Sequence, residues 1–214
     1  MHKTAKVYGS RVRAHGWDGD PPRDADEARA RILAAARSRL VEAGSTNLSE
    51  VADLLGVTRQ TVYRYYPTTE DLLNAAATDA VTELEAQLVK HVSKHLARTG
   101  GDAADAAVEI VAYVYEHLRD DPALNRLIAP GRISSTVAGL TTPSAVALGR
   151  DWLRSFPVDW EAAGLTDDSQ AELVEHLLRT LQTFVLDPGD PARSGKDLRA
   201  YLQRWTAPAL RHFG

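Results

Sequence analysis

The chain has 214 residues, enough for one large helical domain or a small domain joined to a larger one. It holds no Cys, which excludes disulfides, thiolate metal sites and cysteine nucleophiles. The net charge of −4 divides unevenly: residues 1–70 carry 11 Lys+Arg against 9 Asp+Glu, and residues 71–214 carry 14 against 20. A slightly basic front followed by an acidic rear permits phosphate binding at one end. The N-terminus bears charge without an apolar signal core, and no apolar run approaches the roughly 18 residues that cross a bilayer. A cytoplasmic protein with no membrane partner is expected.

Residues 1–23 mix Lys3, Lys6, Arg11 and Arg13 with Gly9, Gly16, Gly19, Pro21 and Pro22, and predict a flexible basic arm. Asp24 or Asp26 can cap a helix in which Ile32, Leu33, Ala36, Leu40 and Val41 form one apolar stripe, with Gly44 ending it. A short helix follows, with Leu48, Val51, Ala52 and Leu55 inward. Gly56 then supplies a turn, Val57 plugs the angle, and Thr58 caps a second short helix. There Val62 and Tyr66 face inward, Arg59, Gln60, Tyr63 and Arg64 face outward, and Pro67 ends the helix. This is the helix-turn-helix pattern.

Beyond it, helical periodicity predicts helices over about 70–95, stopped by Gly100 and Gly101, and over 102–119, stopped at Asp121 and Pro122. Shorter segments cover about 123–129 and 133–156, with Pro143 breaking or kinking the latter. A loop at 157–167 leads to two amphipathic helices, 168–186 and 194–213. No period-2 strand is present. The predicted fold is all-α with about nine helices. It comprises the arm (1–23), a three-helix DNA-binding domain (24–70) and a helical ligand-binding and dimerisation domain (71–214).

The outward residues suit DNA. Arg donates two parallel hydrogen bonds to guanine, Gln makes the paired contact to adenine, and Tyr and Thr hydroxyls reach phosphate oxygens. Residues 26–75 resemble the DNA-binding domain of the tetracycline-repressor (TetR) family. The likeness rests on Glu42–Ala43–Gly44, Thr46, the Leu55–Gly56–Val57–Thr58 turn, the Tyr63–Arg64–Tyr65–Tyr66 ending and the Leu72–Leu73 pair. The resemblance implies that Arg59, Gln60 and Arg64 face base edges. It places Thr46, Thr61, Tyr63, Tyr65 and Thr69 near phosphates. The family commonly has a phosphate-contacting Lys where this chain has Thr69, a loss for which the basic arm can compensate.

One helix-turn-helix reads one half-site, so a homodimer on double-stranded pseudo-palindromic DNA is expected. Wide apolar stripes on the last two helices nominate Leu173, Leu177, Leu181, Phe184, Leu198, Tyr201, Leu202 and Trp205 for the dimer interface. Tyr113, His117, Trp152 and Phe156 are candidates to line a pocket for a small-molecule effector. His91 and His95, like Glu172 and His176, have i,i+4 spacing but no evident third ligand, so no metal and no cofactor are expected. No catalytic motif is present, so the expected function is a transcriptional regulator, a repressor released by its effector, and not an enzyme. The alternative on the same residues is a helical small-molecule-binding or interaction protein that has lost operator binding.

Overall fold

The structure is a computed structural model, and it describes residues 16–122, 124 and 141–212. The charged part of the arm (Lys3, Lys6, Arg11 and Arg13) and most of the segment 123–140 lie outside the described residues. Among the described residues there are nine α-helices and no strand. The chain divides into two compact units between Ala76 and Ala77.

The first unit opens with a 3-10 turn (Trp17–Gly19), then α1 (Ala25–Ala43), α2 (Leu48–Leu54), α3 (Arg59–Tyr63) and the start of α4 (Thr69–Thr99). Asp24 caps α1, its carboxylate accepting from the N–H groups of Asp26 and Glu27. Gly44 closes α1 at φ 69°, a left-handed conformation that costs glycine nothing. Ile32, Ala36, Leu48, Val51, Ala52, Val62, Tyr66 and Leu72 form one buried cluster. Of the stripe predicted on α1, Val41 is the exception at 68% exposed.

Residues 16–20 also differ from the expected loose arm. The Trp17 N–H donates to the Leu55 carbonyl at 2.8 Å, and Trp17 packs against the buried cluster. Arg31 donates to the Asp20 carbonyl and pairs with its carboxylate at 2.9 Å, while also pairing with Glu27. Sequence periodicity is blind to this docking because it rests on a single aromatic ring and one arginine.

In the second unit α5 (Ala103–Asp120) is the central element. It is capped by a reciprocal Asp102–Asp105 box and buries ten of its residues. It packs against α7 (Asp167–Leu186), α8 (Gly195–Trp205) and α9 (Ala207–Arg211), while α6 (Pro143–Ser155) packs on α7. Pro143 starts α6 rather than kinking a longer helix: it follows the cap Thr142, where a missing N–H removes no intrahelical bond. The single helix expected over 194–213 is two, parted at Thr206. Pro208 sits in the first turn of the second, where it is tolerated; inside one continuous helix it would remove a bond and clash with the preceding turn.

A ladder of polar contacts fixes the C-terminal helices on α5. Arg211 pairs with Asp102 (2.8 Å) and Asp105 (2.9 Å), and Gln203 donates to Asp105. Arg199 Nε bridges both Glu109 oxygens at 2.9 and 3.0 Å, and its Nη1 reaches Glu116 at 3.0 Å. His91 Nε2 from α4 closes on the same Glu109 at 2.9 Å, with His95 at 3.7 Å. Burial alone would raise the Glu109 pKa. The hydrogen bonds from Arg199 and His91 and the Arg199 charge outweigh it, and the net direction is downward.

Candidate functional site

The α2–turn–α3 segment is built by local chemistry. The Asn47 side chain accepts from Ser49 and Glu50 N–H groups to start α2. Gly56, at φ 63°, reverses the chain, and the Val57 N–H returns to the Ala52 carbonyl at 3.0 Å. Thr58 then caps α3: its Oγ1 accepts from the Thr61 N–H at 3.2 Å and pairs with the Thr61 hydroxyl at 2.9 Å. A helix of five residues is too short to hold itself. Val62 and Tyr66, 0% and 7% exposed, pin it to the buried cluster.

That pinning turns the opposite side to solvent. Arg59, Gln60, Tyr63 and Arg64 are exposed, and Thr58, Gln60, Thr61, Tyr63 and Arg64 together line one shallow depression. The Arg59 guanidinium lies over the Tyr63 ring at 5.4 Å and Arg64 over Tyr65 at 5.3 Å. Both contacts restrict long side chains that would otherwise be free. Tyr65 is half-buried against the core and takes Arg29 on it as well, at 5.9 Å. Thr69 is the first residue of α4 and half-buried, behind the cap made by Thr68 and Asp71.

Thr46 departs from its expected position. It is 7% exposed, and its Oγ1 is buried with no hydrogen-bond partner, so this hydroxyl is not at the surface with the others. The family resemblance implies a phosphate contact there, but the chain path between α1 and α2 turns the side chain inward.

The four effector candidates fall into two separate places. Trp152 and Phe156 line an apolar cleft together with Val114 and Val111 of α5 and Leu177 and Leu181 of α7. Tyr113 and His117 occupy a different face of α5. There they stack at 3.8 Å, His91 stands 4.5 Å from the Tyr113 ring, and burial pushes the Tyr113 hydroxyl pKa up. Helical geometry explains the separation: 109, 113 and 117 share one stripe, and 110, 111 and 114 share another.

The dimer candidates also divide. Leu173, Leu177, Leu181, Leu198 and Leu202 are buried within their own chain and have no surface to offer a partner. Trp205 is 67% exposed, Tyr201 36% and Leu186 55%; Phe184 is half-buried with its ring 5.8 Å from that of Tyr201. These aromatic residues line one open groove where α7 and α8 meet. The wide apolar stripes mix both kinds of position, and periodicity alone does not say which edge is covered from within.

Among the described residues no group of three His, Asp or Glu is arranged to hold a metal, and no helix is long and apolar enough to cross a membrane. No curated protein matches the chain. Residues 32–76, from within α1 to the first turns of α4, match the family model of the bacterial regulatory proteins of the tetR family. That match covers the helix-turn-helix and the core that holds it. Its members are DNA-binding transcription regulators rather than enzymes, and they typically act as dimers. Residues 32–76 are thus similar to the DNA-binding region of tetR-family transcription regulators, a likeness that spans 45 of the 214 residues.

Proposed function

We propose that the protein is a cytoplasmic homodimeric repressor that sits on a pseudo-palindromic operator and is released by a small-molecule effector. The first unit serves as the DNA-binding domain and the second as the ligand-binding and dimerisation domain. The observation that carries the DNA half of this reading is the side of α3 left outward by Val62 and Tyr66, with Arg59, Gln60, Tyr63 and Arg64 together on it.

In this reading Arg59, Gln60 and Arg64 meet base edges, and Thr61, Tyr63, Tyr65 and Thr69 approach phosphates. Thr46 acts from the interior. Lys3, Lys6, Arg11 and Arg13 add charge on the same operator. Two copies pair through Phe184, Tyr201, Leu186 and Trp205, and the operator's half-sites lie one DNA turn apart, about 34–36 Å. Effector bound in the apolar cleft favours a second state in which α4 swings and the separation of the two α3 helices changes. Operator and effector must then weaken each other by the same factor.

The test is selection from random duplex DNA with the purified full chain, followed by salt titration on the best sequence. An enriched palindrome whose affinity falls steeply with salt is expected. Absence of any enriched sequence would overturn the reading in favour of a helical binding protein without an operator.

A further inference from the structure

The cleft between α5, α6 and α7 has walls of one chemical kind. Val111 and Val114 come from α5, Trp152 and Phe156 from the α6 side, and Val174 and Leu177 from α7. Among the described residues, no side chain lining this cleft carries a hydrogen-bond acceptor or a charge. The cleft holds about 80 Å³ and is partly open to solvent, room for a fragment-sized molecule rather than a large ligand. Gly149 is what lets α6 come this close: a Cβ there would stand 2.4 Å from Val174 Cγ1.

One wall residue breaks the pattern. The Trp152 indole Nε1 is buried and donates to no group among the described residues. The contrast is Trp160, whose Nε1 donates to the Leu153 carbonyl at 2.9 Å. A buried donor without an acceptor is unfavourable, and tryptophan is normally placed so that its N–H finds a partner. Phe would fill the same wall without that cost.

We infer that the effector is an uncharged, largely apolar molecule bearing a carbonyl oxygen, and that the Trp152 Nε1–H donates to that oxygen. This rests on the proposed effector site and specifies its ligand class. A carboxylate is disfavoured because the described lining offers no cation to compensate its desolvation. An apolar molecule without an acceptor enters but leaves the indole unpaired.

Three probes of nearly one shape separate these cases: acetophenone, α-methylstyrene, in which a methylene replaces the carbonyl oxygen, and benzoate. The full chain, labelled with ¹⁵N at its tryptophans, gives four indole cross-peaks, and Trp152→Phe identifies the one from Trp152. Acetophenone is expected to move that peak downfield and to bind about five- to tenfold more tightly than α-methylstyrene, with benzoate weakest. In Trp152→Phe the first two should bind alike. Leu178→Trp, at a half-buried wall position, should block both.

Equal affinities in the unsubstituted chain, an unmoved Trp152 peak, or benzoate binding as tightly as the ketone would each overturn the inference. Binding is read without DNA. Acetophenone that binds as expected yet leaves operator affinity unchanged therefore supports this site and counts against effector release.

Discussion

Replacing Arg199 by Ala tests whether the polar ladder on α5 holds the C-terminal helices in place. The Glu109 side chain is 5% exposed and that of Arg199 25%, so the substitution leaves a carboxylate buried beside an emptied position. Stripping one partner from a fully buried pair costs roughly 3–5 kcal/mol. Here Arg199 keeps some contact with water and His91 still bonds Glu109 at 2.9 Å, which argues for about 2–3 kcal/mol. For a chain of this size each kcal/mol lowers Tm by roughly 2–4 °C, so a drop of about 4–12 °C is expected in calorimetry at pH 7.5.

The pH dependence has a defined sign. The Glu109 pKa is lowered in the fold, so its stabilisation is present above its ordinary value of 4.5 and is lost as pH falls through the lower folded value. The gap between the natural chain and Arg199→Ala should therefore be widest near neutral pH and narrow below about pH 4.5. A companion Arg199→Met/Glu109→Leu pair, which removes both charges, should cost less than Arg199→Ala alone. A loss under about 0.5 kcal/mol at pH 7.5, within the range of an ordinary surface change, would refute the argument that the buried carboxylate depends on this arginine.

Other predictions concern the DNA face and the dimer. Gln60→Ala or Arg59→Ala should cost about 1–3 kcal/mol in operator binding and relax preference at one base pair, measured by mobility shift on single-substitution operators; a uniform loss across all sequences would assign that residue to phosphate. Thr58→Ala removes the α3 cap and should lower stability by about 1 kcal/mol in urea titration, with Thr58→Ser restoring most of it. Trp205→Glu in combination with Tyr201→Glu should give monomers in sedimentation velocity while circular dichroism stays helical, because both residues are exposed in one chain; an unchanged dimer would place the interface elsewhere. Removal of residues 1–15 should reduce the slope of log affinity against log salt by up to about four, one for each basic residue lost.

The first unit was largely legible from the sequence because its signals are local. Asp24, Thr58, Gly44 and Gly56 each mark a boundary through one or two backbone bonds, and the structure shows those bonds. The second unit was legible as helices but not as surfaces. Leu198 and Tyr201 belong to one apolar stripe, yet one is fully buried and the other is exposed, since burial depends on what α5 covers. Tyr113 and Trp152 look equally suited to a pocket in sequence, and only the rotation of α5 separates them. The Arg199–Glu109 pair spans 90 positions and carries no periodic signature. Pro208 is a local signal, since a proline inside a 20-residue helical stretch divides it.

The division of labour on α3 has an evolutionary corollary. Val62 and Tyr66 hold the helix, whereas Arg59, Gln60, Tyr63 and Arg64 are exposed and lie outside the buried cluster. Exchanges at those four positions should be nearly neutral for folding, so descendants of this chain can drift toward new target sequences without first acquiring compensating changes in the interior.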